Sequence, residues 1–197
     1  MLELKTFVER YVAFDDTEWA TLKNRLETVQ YKKGEMIHGT HDIWQELYYI
    51  KSGLIRSYII SDTGKEATRQ LHFNNTHASI LNLFVVDYAS LSHQTPSLIG
   101  FEVLQDCELI KVSRETIDMI HHRSHKWERL SRMFLESAYM KSTEFYQQII
   151  TRSAKENYKD LRENMSHMIE LVPQYHLATY IGITPVTLSR IKQELES

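Results

Sequence analysis

The run His176-Leu177-Ala178-Thr179-Tyr180-Ile181-Gly182-Ile183-Thr184-Pro185-Val186-Thr187-Leu188-Ser189-Arg190-Ile191 decides the reading of this chain. Leu177, Ile181, Leu188 and Ile191 fall at helical spacing, two in each of two short helices, and would face each other across a turn. Ala178 is small enough to let the helices approach. Gly182 stands where the first helix must stop, because a left-handed backbone is cheap only for glycine. Ile183 plugs the corner. Thr184 can cap the second helix, and Pro185 suits its first position. A plain two-helix corner would explain the apolar positions alone. The small residue, the glycine and the Thr-Pro start in one register predict a helix-turn-helix, which lays its second helix in the major groove of DNA.

The charge around this corner is local. The chain carries 23 Lys and Arg against 26 Asp and Glu, a net charge of −3 with neutral histidines, so no overall nucleic-acid signature exists. From Pro173 to Gln193, however, the charged residues are Arg190 and Lys192, with no carboxylate. That is a thin basic footprint, which two copies would double, and it predicts modest, salt-sensitive binding.

The 197 residues suffice for one large or two small domains, and 42% hydrophobic content supports a core. No apolar run reaches membrane-spanning length and no leader is read at the start, so a cytoplasmic protein with no membrane contact is expected. Cys107 is the lone cysteine, so an internal disulfide is excluded. Its neighbours Val103, Leu104, Leu109 and Ile110 suggest a buried, inert thiol.

Upstream of the corner, the texture changes twice. Leu2 to about Val29 reads as helical, with Asp15-Asp16 as a helix start before Trp19. From Gln30 to about Val112, turns separate short β-rich runs: Met36-Ile37, Leu47 to Ile50, Leu54 to Ile60, Ala67 to Phe73, Ser97 to Val103 and Glu108 to Val112. Asp62-Thr63-Gly64-Lys65 is a hairpin turn. Such strands predict a small barrel or jelly roll. Ser113-Arg114-Glu115 resembles a capped helix start. A long helix then runs from about Ser124 to Ile150, with Trp127, Leu130, Phe134 and Ala138 on an apolar stripe. This stripe is wide enough to meet both the barrel and a second copy of itself, although burial within one chain would also account for it.

The fold class expected is therefore α+β. An N-terminal β jelly roll with its leading helices occupies 1–115, a long dimerisation helix 116–152, and an all-α helix-turn-helix unit 153–197.

The order of parts also carries a resemblance. Tyr31-Lys32-Lys33-Gly34-Glu35-Met36-Ile37 and Glu46-Leu47-Tyr48-Tyr49-Ile50-Lys51-Ser52-Gly53-Leu54-Ile55-Arg56 resemble the start of a cyclic-nucleotide-binding jelly roll. With the C-terminal corner, the chain from about Gln30 to Ile191 resembles a transcriptional regulator of the cyclic-AMP receptor protein/FNR (CRP/FNR) family, in a compact subgroup. The resemblance implies a homodimer whose sensing barrels reposition two DNA-reading units.

Three departures from that family shape the expectations. Nucleotide-binding members grip ribose and cyclic phosphate with a Gly-Glu pair and an Arg-Ser or Arg-Thr pair. Here Ala78-Ser79-Ile80-Leu81-Asn82-Leu83-Phe84 has neither Gly nor Glu, and Thr95-Pro96-Ser97-Leu98 has no Arg. Without the guanidinium the cyclic phosphate loses its counter-charge, so tight cyclic AMP binding is not expected. The slot holds another small effector or nothing; Arg69, Ser79, Thr95 and Ser97 are its candidate lining. Next, only Gln193 to Ser197 follow the recognition helix, so no C-terminal wing is expected. Finally, Arg190 matches the family's base-reading arginine, while Pro185 falls where relatives often carry a second one.

The DNA-binding set expected is Thr184, Pro185, Val186, Thr187, Ser189, Arg190, Lys192 and Gln193. Arg190 can pair with a guanine edge, and Thr184, Thr187 and Lys192 suit phosphates. The partners expected are double-stranded DNA with a near-palindromic site, a second copy of the chain, and RNA polymerase in the case of an activator. No cofactor is expected: an iron–sulfur cluster needs more cysteines. His121 and His125 stand one turn apart but have no carboxylate or thiol beside them that would make a metal site. No Gly-rich phosphate loop or nucleophile elbow points to an enzyme. The alternative function is a ligand-sensing or interaction module without DNA affinity.

Overall fold

The computed structural model describes residues 1–196. Two short helices, α1 (Leu2–Glu9) and α2 (Asp16–Lys23), precede the sheet. Strands β1 (Glu27–Tyr31), β2 (Met36–His38), β3 (Glu46–Ile60) and β4 (Glu66–Phe73) follow, then α3 (Ile80–Leu83), β5 (Phe84–Val85), α4 (Tyr88–His93) and β6 (Ile99–Ser113). The chain closes with α5 (Arg114–Arg123), α6 (His125–Thr151), α7 (Ala154–Ile169), α8 (Gln174–Tyr180) and α9 (Pro185–Glu196). This is the α+β arrangement expected, a β jelly roll followed by helices.

The sheet runs β1-β6-β3-β4, with β2 on β6 and β5 on β3, and every pairing is antiparallel. Two long strands replace four expected short ones. Leu47–Ile50 and Leu54–Ile60 merge into β3, and the runs either side of Asp106 merge into β6. Gly53 does not end the strand. It sits at φ +99°, and the register against β6 slips around it. A Cβ there would lie 2.5 Å from both the Asp106 carbonyl oxygen and the Cys107 Cβ, so only glycine lets β3 bulge and continue. The start of the chain also differs from the continuous helical reading, since Glu27–Tyr31 pairs with β6 as a strand.

Three apolar clusters hold the parts together. Inside the jelly roll, Trp44, Tyr48, Ile50, Ile55, Val85, Phe101, Val103 and Leu109 pack with Cys107. Trp44 is fully buried and tilted on Phe101 with centroids 4.7 Å apart; its indole N–H donates to the Glu46 carbonyl. The Cys107 thiol is buried, and desolvation pushes its pKa up to about 11, which makes it the inert thiol expected. On the outer face, α1, α2 and α5 cover Tyr49, Ile110 and Val112 together with Trp127 and Leu130 of α6. The third cluster joins Leu54, Leu71, Phe73 and Leu104 of the sheet to α7, α8 and α9.

Side-chain caps mark where the helices start. Asp15 and Ser153 each form a capping box, with Glu18 and Glu156 respectively. Ser113 caps α5 and Ser124 caps α6 through backbone N–H groups two or three residues on. The breaks at Ser124 and Ser153 therefore set the length of the long helix.

Candidate nucleic-acid interface

The corner forms as its residues dictate. α8 ends in a Schellman turn: the Ile183 N–H donates to the Ala178 carbonyl at 2.9 Å and the Gly182 N–H to Thr179 at 3.2 Å. Gly182 supplies the left-handed backbone, φ +75°. Thr184 Oγ1 accepts from the Thr187 N–H at 3.2 Å, so it caps α9, and Pro185 is the first helical residue. Leu177, Ala178 and Leu188 are fully buried, with Ile181 and Ile191 nearly so. Burying two leucines at about 2 kcal/mol each is enough to hold so short a helix pair against fraying.

With Leu188, Ile191 and Leu195 turned inward, the opposite face of α9 is open. Thr184, Val186, Thr187, Arg190 and Gln193 are exposed. Pro185 and Ser189 are half-buried at the margins. Lys192 lies to one side, its ammonium 5.9 Å from the centre of the Tyr158 ring on α7. Glu194 follows Arg190 by one turn, and Lys155 holds it at 2.8 Å and lowers its carboxyl pKa. The face is thus mildly basic, with its adjacent acid already paired.

The corner does not swing free. Tyr175 donates its hydroxyl to the Glu66 carbonyl at 2.9 Å, and Thr179 Oγ1 accepts the Thr68 N–H at 3.1 Å. Both anchor α8 to β4, the last strand of the sheet path. Phe145 of α6 stacks on Tyr180, centroids 5.4 Å apart. Beneath α8, the buried Arg56 guanidinium spans Glu66 at 2.7 Å and Glu102 at 2.6 Å. None of these anchoring residues carries a sequence signal, since their partners lie far away along the chain.

The candidate effector residues have separate surroundings. Arg69 is exposed on β4 and Thr95 is exposed in a loop. Ser79 donates to Asn82 at 2.7 Å, within the cap of α3. Ser97 is buried and donates to Asp87 Oδ2 at 2.7 Å. The jelly-roll interior itself is filled by Trp44, Phe101 and His72.

The stripe on α6 divides. Trp127 and Leu130 are buried in their own chain, and Phe134 packs edge-on to Tyr11 at 5.0 Å, so these three turn toward the N-terminal helices. Ala138 is half-buried. The face left open is a neighbouring one. Leu135, Tyr139, Tyr146 and Ile150 are 38%, 74%, 55% and 82% exposed, with Met140 beside them. Their four- and seven-residue spacing was available in the sequence, overshadowed by the stronger aromatic stripe beside it. His121 meets Ser131 Oγ at 2.7 Å, whereas His125, contrary to the expectation of no carboxylate beside it, meets Glu128 of the next helical turn at 3.0 Å. Among the described residues no group of three metal-ligating side chains gathers, and no helix is long and apolar enough to cross a membrane.

Known structures share this arrangement. FixK2 from Bradyrhizobium japonicum matches with TM-score 0.68 at 17% identity over 87% of this chain and 84% of its own. A CRP/FNR-family transcriptional regulator from Eubacterium rectale matches with TM-score 0.69 at 21% identity, over 93% and 84%. The c-di-GMP-responsive regulator CLP from Xanthomonas campestris matches with TM-score 0.64 at 14% identity, over 92% of both chains. The chain shares the jelly-roll and helix-turn-helix fold of these structures. No family model and no curated protein matches its sequence.

Proposed function

We propose that this chain is a homodimeric, site-specific DNA-binding transcription regulator of the CRP/FNR family, in a compact subgroup, and that it does not respond to cyclic AMP. The observation that carries the reading is the exposed face of α9. Arg190 stands there exposed on a capped helix, one turn before Glu194, which Lys155 pairs at 2.8 Å. The fold supports the same reading, because solved structures described as a CRP/FNR-family transcriptional regulator and as a global regulator share it along most of this chain.

In this reading α9 enters the major groove. Arg190 pairs with a guanine edge; Thr184, Thr187 and Lys192 meet phosphates; Ser189 and Gln193 make side contacts, and Pro185 and Val186 lie against the bases. The open face of α6 pairs with its copy through Leu135, Tyr139, Tyr146 and Ile150. Two recognition helices then reach successive major grooves about 34 Å apart on a near-palindromic site. Cyclic AMP has no arginine waiting for its phosphate: Arg56 is committed to two carboxylates and Arg69 is exposed. A different effector of the jelly roll would have Ser79, Thr95, Ser97 and Arg69 as its margin.

Selection of genomic fragments on the purified full chain tests this. Enrichment of a two-fold symmetric motif, lost in Arg190→Ala, is the expected result. Recovery of fragments with no shared motif would favour a module that works without sequence-specific DNA contact.

A further inference from the structure

Val186 is 63% exposed, although the other large aliphatics of its helix pack inward, Leu188 and Ile191 buried and Leu195 half-buried. Stepping about 100° per residue along the helix, Val186 falls nearly opposite Leu188, at the centre of the outward face. Among the described residues it stays open to solvent. Arg190 follows one turn later on the same face, and it too is exposed.

The first turn of α9 holds Val186 firmly. Pro185 fixes its own φ just before it. Thr184 caps the helix and its hydroxyl lies 2.9 Å from that of Thr187, so both residues flanking the Pro-Val pair are tied down. A β-branched side chain in a helix has essentially one rotamer. Valine is a weak helix former, and a solvated position is better served by Lys, Gln or Glu. What Val186 offers is a rigid, desolvatable methyl pair beside a guanidinium.

The major groove presents one apolar feature, the thymine 5-methyl group, while guanine presents the acceptor pair that suits arginine. Four residues of helix advance about 6 Å, and stacked bases are about 3.4 Å apart, so the two side chains reach bases one or two steps apart. We infer that Val186 and Arg190 act as one reading unit for a thymine lying one or two base pairs from a guanine in each half-site. This rests on the DNA-binding reading above and adds the base it selects and the atom it selects by.

The test removes that atom alone. From the motif selected by the purified full chain, duplexes are made in which each thymine within two base pairs of the guanine protected by Arg190 is replaced by uracil. Pairing is unchanged and only the methyl is lost. For one thymine position, wild type binds the uracil duplex about fourfold more weakly per substituted half-site, the cost of about one methyl contact. Val186→Ala, a better helix former that keeps the fold, binds thymine and uracil duplexes equally. Equal binding of both duplexes by wild type overturns the inference, as does an unchanged thymine preference in Val186→Ala or a motif with no thymine at that distance. If Arg190→Ala also binds as wild type does, the base-reading role of Arg190 fails and the inference with it; if no shared motif is selected at all, the DNA-binding reading itself fails, which separates the two failures.

Discussion

The Thr68 N–H on β4 donates to Thr179 Oγ1 on α8 across 3.1 Å, joining the jelly roll to the first helix of the corner. A strand at the end of a sheet leaves N–H groups unpaired, and here a side chain from the two-helix corner takes one of them. Thr68 is almost fully buried, so this donor has no ready access to water. Thr179→Val keeps the shape and removes the acceptor. We expect a loss of about 1–3 kcal/mol, the cost of an unsatisfied buried donor. Urea denaturation measures it, and the Thr68 amide should exchange faster in the variant. Unchanged stability and exchange would show that the contact contributes nothing to docking.

The corner's own stability rests on two leucines. Leu177 and Leu188 are fully buried against each other's helices and the sheet. Leu188→Ala should cost about 2–5 kcal/mol. Because the cavity opens beneath the recognition helix, DNA binding should fall with it. Calorimetric melting beside a DNA titration at a temperature where the variant is folded separates the two effects.

Acid should weaken the fold through His72. Its imidazole is buried in the jelly roll with Nε2 3.1 Å from Ser57 Oγ. Desolvation, helped by the nearby Arg69 charge, pushes its pKa down from 6.5 to about 3. Between those values the unfolded chain binds the extra proton and the folded chain does not. The contribution is therefore complete above pH 6.5 and lost progressively as pH falls toward 3. Urea midpoints measured downward from neutral pH should fall, and His72→Gln should fall less steeply. Parallel slopes for the two proteins would assign the acid sensitivity to the carboxylates instead.

The open face of α6 predicts the assembly state. A glutamate at Tyr139 or Ile150, the two most exposed of the stripe, would place a charge in a helix-helix seam. Tyr139→Glu and Ile150→Glu should sediment as monomers and lose affinity for a two-fold site while keeping their melting temperature. A dimer that survives both changes would move the interface elsewhere on the chain.

Cyclic AMP at millimolar concentration should leave both the melting temperature and the DNA affinity unchanged. The Thr95-Pro96-Ser97-Leu98 segment offers no guanidinium, and Ser97 is already committed to Asp87. Micromolar binding would overturn this.

What the sequence made legible was local. Gly182, Thr184 and Pro185 announce the corner because each satisfies a steric need within a few residues. Ser113, Ser124 and Ser153 announce helix starts for the same reason. What it hid was long-range. Gly53 reads as a turn but permits a bulge, since its constraint comes from Cys107 on another strand. Glu27 to Val29 reads as the end of a helix and becomes part of a strand only because β6 lies beside it. Tyr175 and Thr179 show no periodic pattern, as their partners Glu66 and Thr68 lie across the fold. Trp127, Leu130 and Phe134 announce an apolar stripe correctly, yet periodicity alone could not say which neighbour would cover it.

The most direct measurement is the affinity of wild type and Arg190→Ala for the selected two-fold duplex, by fluorescence anisotropy at one fixed salt concentration. The account predicts a loss of about 1–3 kcal/mol, with the preference at the guanine position relaxed. An affinity within a few tenths of a kcal/mol of wild type, with that preference intact, would contradict it.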